Sequence, residues 1–192
     1  MLIVPGNREP RQIRVVGGVM AWKEQNRWNE GTCQSDDYAV SQYWYLQNLD
    51  HLSNLRILSI QSNRLTSLFG LSSLKKLEEL YVSHNAITDL SGLENNTSLR
   101  VFDFSNNQVS KLEHLSSLEQ LEELWASNNQ LSNFDEVERE LKEKKNLETV
   151  YFEGNPLQMK GPAVYRNKVR LAIPHIKQID ASKLFFLLNV YW

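Results

Sequence analysis

The sequence predicts an α/β solenoid that carries short parallel strands on a concave face, and three observations predict it. The frame Leu-x-x-Leu-x-Leu-x-x-Asn-x-Leu recurs five times between residues 55 and 157. Its asparagines, Asn63, Asn85, Asn107, Asn129 and Asn155, lie 22, 22, 22 and 26 residues apart. Within each frame two apolar residues flank a single position, as in Leu58 and Ile60 or Leu80 and Val82, the two-residue alternation of a strand with one buried face.

A unit of this length and consensus is the signature of a leucine-rich-repeat solenoid. Residues 1–47 stand outside the frame: Gly17-Gly18, Trp22, Trp28, Tyr43, Trp44 and Tyr45 follow no helical or strand period, so a weakly ordered non-repeat segment is expected there. Repeats are expected over 48–157. Their strands point Leu, Ile, Val, Phe and Ala inward at 58/60, 80/82, 102/104, 124/126 and 150/152, and no single repeat can bury these alone. The recurring Asn stands where the chain leaves each strand, and a short amide there satisfies turn backbone groups that would otherwise be buried without partners. The asparagines are therefore structural.

The connecting arcs, built on Leu68, Gly70, Leu71 and Leu74, on Leu90, Gly92 and Leu93, and on Leu112, Leu115 and Leu118, suit 3₁₀ turns on the convex face. The fifth interval is longer by about one helical turn and carries 135–144, DEVERELKEK. Val137 and Leu141 share one face there, and Glu138/Lys142 and Glu140/Lys144 are i,i+4 pairs, so an α-helix with a solvated charged side is expected. Residues 158–181 are expected to cap the stack. Tyr165, Val169, Ala172 and Ile173 have helical spacing until Pro174, and Ile176 and Ile179 then cover the open end. The basic run Arg166, Lys168, Arg170 and Lys177 reads as cap surface. The apolar string at 182–192 continues no pattern and is expected to be weakly packed.

Composition narrows the function. Hydrophobic residues make up 41% and charged residues 23% of the 192, the balance of a globular chain. The formal net charge of −2 supplies no positive field for phosphates, so neither nucleic acid nor a membrane surface is an expected partner. One cysteine, Cys33, cannot form an intrachain disulfide or complete a cysteine-based zinc site, which favours a reducing compartment. No secretory signal or membrane span is read at either end.

No catalytic constellation emerges. His51, His84, His114 and His175 are scattered without metal-ligand spacing, and Gly17-Gly18 lacks the remaining residues of a phosphate loop. No cofactor or metal is expected, and catalysis is the minor reading beside protein binding.

The binding surface can be read from the strand alternation. Residues flanking the inward pairs point out of the sheet, and stacking lines them into columns. The first column is Ile57, Glu79, Val101, Glu123 and Thr149; the middle is Ser59, Tyr81, Asp103, Trp125 and Tyr151; the third is Gln61, Ser83, Ser105, Ser127 and Glu153. Single members of such columns are ordinary surface. As a set, aromatics with Glu79, Asp103, Glu123 and Glu153 have the composition of an interface that selects a basic protein partner.

The local strings QSNRLT (61–66), LYVSHN (80–85), GLENN (92–96), LEELW (121–125), LETVY (147–151) and GNPLQ (154–158), with the cap YRNKVRLAIP and QID across 165–180, resemble the leucine-rich regulatory subunit of protein phosphatase 1. The resemblance covers about residues 48–181 and corresponds to the C-terminal part of that family, whose chains carry about twice as many repeats. It implies a non-catalytic protein of nucleus and cytoplasm whose concave face binds the catalytic subunit of protein phosphatase 1. Family contact positions match Glu123, Trp125 and Tyr151, with Tyr81 and Asp103 in the same column. Two other readings stay open: a scaffold for a different partner, of ribonucleoprotein or axonemal type, and a truncated product with little binding, since Leu52 and Leu55 face the end where a preceding repeat is missing.

Overall fold

The computed structural model describes residues 12–16, 19–24, 27–31, 46, 49 and 52–183, with the side chains of 12–31 and 182–183 excepted. The expectation of weak packing for the remainder of 1–47 and for 184–192 lies outside the described residues. Five strands stand where the frame predicts them, and they share one sheet with five more among the described residues. In chain order these are β1 (Gln12–Val16), β2 (Val19–Glu24), β3 (Arg27–Gly31), β4 (Ile57–Ser59), β5 (Glu79–Tyr81), β6 (Val101–Asp103), β7 (Glu123–Trp125), β8 (Thr149–Tyr151), β9 (Gln178–Ile179) and β10 (Ser182–Lys183). The spatial order is β10-β9-β8-β7-β6-β5-β4-β1-β2-β3. From β4 to β9 the pairing is parallel and in constant register, Leu58, Leu80, Phe102, Leu124, Val150 and Ile179 forming one row.

That row is the centre of a single continuous core. Leu80, Phe102, Phe104, Leu124, Val150 and Phe152 are fully buried, as are the arc leucines at 71, 74 and 77 and their equivalents. Each arc makes consecutive i→i−3 turns, such as Leu74 N to Leu71 O at 2.9 Å and Leu77 N to Leu74 O at 3.0 Å, in place of a continuous 3₁₀-helix. Leu52 and Leu55 are also fully buried, so they do not form an open end. The sheet continues beyond β4 through β1, which pairs parallel with it, Ile13 opposite Leu58. The sequence showed no strand alternation there; an unpaired strand edge recruits backbone groups whatever the side-chain pattern.

The ladder asparagines do what their chemistry predicts. Asn107 Nδ2 donates to Phe104 O in its own coil at 2.8 Å and to Val82 O in the coil before at 3.1 Å, while its Oδ1 accepts from Ile87 N at 2.9 Å. Asn85, Asn129 and Asn155 repeat the arrangement. The residue before each ladder Asn has a left-handed backbone: Ser62, His84, Asn106 and Asn128 at φ 54–57° and Gly154 at 74°. Non-glycine residues accept that φ here, so the glycine answers a different constraint. A Cβ on Gly154 would lie 2.0 Å from Asn128 Oδ1, and Asn128 is held in place by its own bond to Asn106 at 3.1 Å. Gly154→Ala is therefore expected to cost about 1–3 kcal/mol. Urea denaturation checks this, and the cost should shrink in a background where Asn128→Ser has removed the obstructing amide.

The long interval forms α1 (Phe134–Leu141), capped by Asn133 accepting from Asp135 N at 2.9 Å. Val137 and Leu141 are buried, and Glu138 pairs with Lys142 at 2.7 Å, as expected. The charged side is more than a solvated face, and the Glu140/Lys144 pair does not form. Glu136 and Glu140 accept from Leu112 N and Leu115 N of the preceding arc, both at 3.0 Å. Lys144 is buried in the row that holds Leu74 and Leu118, donating to Leu118 O at 3.2 Å, and burial holds its pKa below the ordinary lysine value.

The cap comprises α2 (Pro156–Met159), α3 (Pro162–Ala172) and β9 with β10. Tyr165, Val169, Ala172, Ile173, Ile176 and Ile179 close the core. Beyond β8 the described residues offer only the two-residue β9, which is too short to continue the hydrogen bonds that each earlier coil receives, such as Ala126 N to Tyr151 O. Asp180 substitutes: its Oδ1 accepts from Phe152 N at 2.9 Å, Glu153 N at 3.1 Å and the Tyr165 hydroxyl at 3.2 Å. A carboxylate thus does the work of the missing backbone carbonyls.

Candidate functional site

The concave face is made by the first and last residues of β5 to β8 and their neighbours, the last residues lying in the register Tyr81, Asp103, Trp125, Tyr151. Because the inward Leu, Phe and Val residues fix each strand's orientation, Glu79, Tyr81, Glu123, Trp125 and Tyr151 are left half-buried on the outer side. The aromatic rings form one row: Trp125 lies edge-on to Tyr151 at 5.7 Å between centroids and to Tyr81 at 6.3 Å. Tyr81 and Trp125 are two strands apart, a backbone separation of about 9.6 Å, so their rings lean together across the intervening strand. Asp103, on that strand, is only 4% exposed, and its Oδ1 accepts from Ser105 N at 2.9 Å. The open surface read for Asp103 from the alternation is therefore closed by its neighbours.

Each carboxylate of the first column holds the ring beside it. The Tyr81 hydroxyl donates to Glu79 Oε2 at 2.8 Å, and Trp125 Nε1 donates to Glu123 Oε2 at 3.0 Å. Desolvation, followed by the hydrogen bond and charge of Glu79 and the charges of Glu123 and Asp103, pushes the Tyr81 phenol well above its ordinary pKa. The same burial and hydrogen bond keep the phenol a donor to Glu79. The arrangement is an aromatic row, preorganised by hydrogen bonds, with negative charge along one side. Aromatic side chains held this way offer large apolar area at little entropic cost to a partner.

Glu153 differs from the rest. It is exposed in the third column, and its side chain makes no hydrogen bond to the aromatic row among the described residues. One positioning residue escaped the sequence reading: Gln178 Nε2 donates to the Tyr151 hydroxyl at 2.8 Å and to Asp180 O at 3.0 Å. Gln178 lies opposite Thr149 and so extends the first column. The signal was present in Ile173-x-x-Ile176-x-x-Ile179, the same three-residue spacing as Leu71, Leu74 and Leu77. It marks a sixth coil ending in a strand.

Among the described residues there is no cluster of His, Cys, Asp and Glu able to hold a metal ion, and no helix long and apolar enough to cross a membrane.

Comparison with known proteins agrees with the architecture. A leucine-rich-repeat family model matches twice, at residues 53–95 and 97–139. The chain is 66% identical over 50 residues to protein phosphatase 1 regulatory subunit SDS22 of Schizosaccharomyces pombe, a stretch that is 26% of this chain and 15% of the relative. It is 57% identical over 47 residues to protein phosphatase 1 regulatory subunit 7 of zebrafish, covering 24% of this chain and 13% of that one, and equally to the human protein, covering 24% and 12%. Among solved structures, an internalin of Listeria monocytogenes superposes with a TM-score of 0.56 at 26% identity, over 71% of this chain and 37% of that one. A leucine-rich-repeat protein of Leptospira interrogans gives 0.56 at 28% identity, over 68% and 32%.

Proposed function

We propose that this leucine-rich-repeat solenoid is a non-catalytic regulatory protein that binds the type-1 serine/threonine protein phosphatase catalytic subunit through its concave face. The observation that carries the reading is the row Tyr81, Trp125 and Tyr151 with Glu79 and Glu123 hydrogen-bonded along it. The relatives named as protein phosphatase 1 regulatory subunits support this choice of partner. Aromatic residues on a preformed surface are the residue types that dominate interface energies, and a carboxylate border favours a basic partner and speeds encounter with it. Nucleus and cytoplasm, where that phosphatase would be met, are the proposed locations.

Titration of the purified chain with the phosphatase catalytic subunit tests the proposal, and absence of saturable binding would refute it. Saturable binding of a different basic protein in its place would favour the general scaffold. A kinetic signature is also expected. Glu123→Lys should slow association most at low ionic strength, where the Debye length is about 30 Å at 0.01 M, and the effect should fade near 1 M, where it is about 3 Å. Stopped-flow association rates across that salt range provide the check; a slowing that is independent of salt would place Glu123 outside the electrostatic contact.

A further inference from the structure

The concave site leaves the outer face of the cap unused, and that face is unlike the rest of the surface. Of the four large apolar side chains that stand exposed among the described residues, three fall within thirteen residues: Met159, Val164 and Leu171, the last 77% exposed. Val164, Lys168 and Leu171 follow i, i+4, i+7 spacing on α3, about 100° around the helix from the buried Tyr165, Val169 and Ala172, so they form one stripe along the edge of the buried face. The cap also carries cations that face no carboxylate. Lys160 and Arg170 have no ion-pair partner among the described residues, while Lys177 of the same cap pairs with Glu148. Lys168 lies over the Phe134 ring, 5.2 Å from its centroid. No Asp or Glu occurs between 156 and 179.

We infer that this face of the cap is a second docking surface, and that its occupant is an acidic amphipathic segment of another protein. Val164 and Leu171 are two helical turns apart, about 10 Å along the axis. An incoming helix with two apolar residues seven apart matches them, and carboxylates on its flanks meet Lys160, Lys168 and Arg170. Three cations are fewer than the four to eight that anchor a helix to anionic lipid, which favours a protein segment over a membrane. The face lies on the helical cap, apart from the concave columns, so both surfaces can be occupied together.

A synthetic helical peptide with two leucines seven residues apart and glutamates between them is the probe, titrated into the full chain by fluorescence anisotropy. Saturable binding that weakens at least tenfold in Lys160→Glu/Arg170→Glu and in Leu171→Ser, and that is lost when the peptide leucines become serine, is the expected result. All the substituted side chains are exposed, and an unchanged melting curve verifies that each variant folds. No saturable binding, or equal binding by parent and variants, overturns the inference. Association with phosphatidylserine vesicles in place of the peptide overturns it in favour of a membrane contact. The readout does not involve the phosphatase, so this inference and the proposed function stand or fall separately.

Discussion

Replacing Leu124 by alanine is expected to lower the free energy of unfolding by about 2–5 kcal/mol, the range for emptying a buried leucine site. Leu124 is fully buried on β7 and lies between Phe102 and Val150 in the row of inward side chains. A cavity there weakens the contact with both neighbouring coils, and in a solenoid those nearest-neighbour contacts carry most of the cooperativity. Urea denaturation followed by circular dichroism measures the loss, and a reduced slope of the transition would show the two halves beginning to unfold separately. Glu78→Ala is the control. Glu78 bonds to Arg56 in a pair open to solvent, so its loss should cost less than about 1 kcal/mol. Equal costs at 78 and 124 would overturn the assignment of inward and outward faces.

The second large effect is on binding. Trp125→Ala is expected to weaken phosphatase binding by about 2 kcal/mol, roughly 30-fold, because the indole occupies the centre of the aromatic row. Stability should also fall, by about 1–2 kcal/mol: the substitution removes edge contacts to both Tyr81 and Tyr151 and uncovers Asp103. Isothermal titration at a temperature well below the transition separates the two effects. Tyr151→Phe keeps the ring contact and deletes only the hydroxyl that accepts from Gln178, so it should lose much less affinity. Binding by Trp125→Ala at parental strength would remove the concave face as the docking surface.

The sequence by itself determined the repeat, its register and the columns, because the period of the Leu and Asn positions requires every coil to orient alike: once Leu80 and Val82 point inward, Tyr81 must point out. It also determined the asparagine ladder, since a turn beside a buried strand needs an amide in each coil. Tertiary structure alone decided what those outward residues became. The columns list Asp103 as equivalent to Tyr81 and Trp125, yet the two larger side chains meet across it and leave it buried. The alternation gives direction without size, and size determines which side chain covers which. Tertiary structure likewise took Lys144 away from Glu140 and into the core, because α1 ends at Leu141 and residue 144 falls in the buried row of Leu52, Leu74, Asn96 and Leu118. It gave Asp180 the task of a backbone carbonyl, a role visible only once the last coil's unpaired amides exist. Local spacing is fixed along the chain, whereas coverage and the satisfaction of buried polar groups depend on neighbours 22 or more residues away.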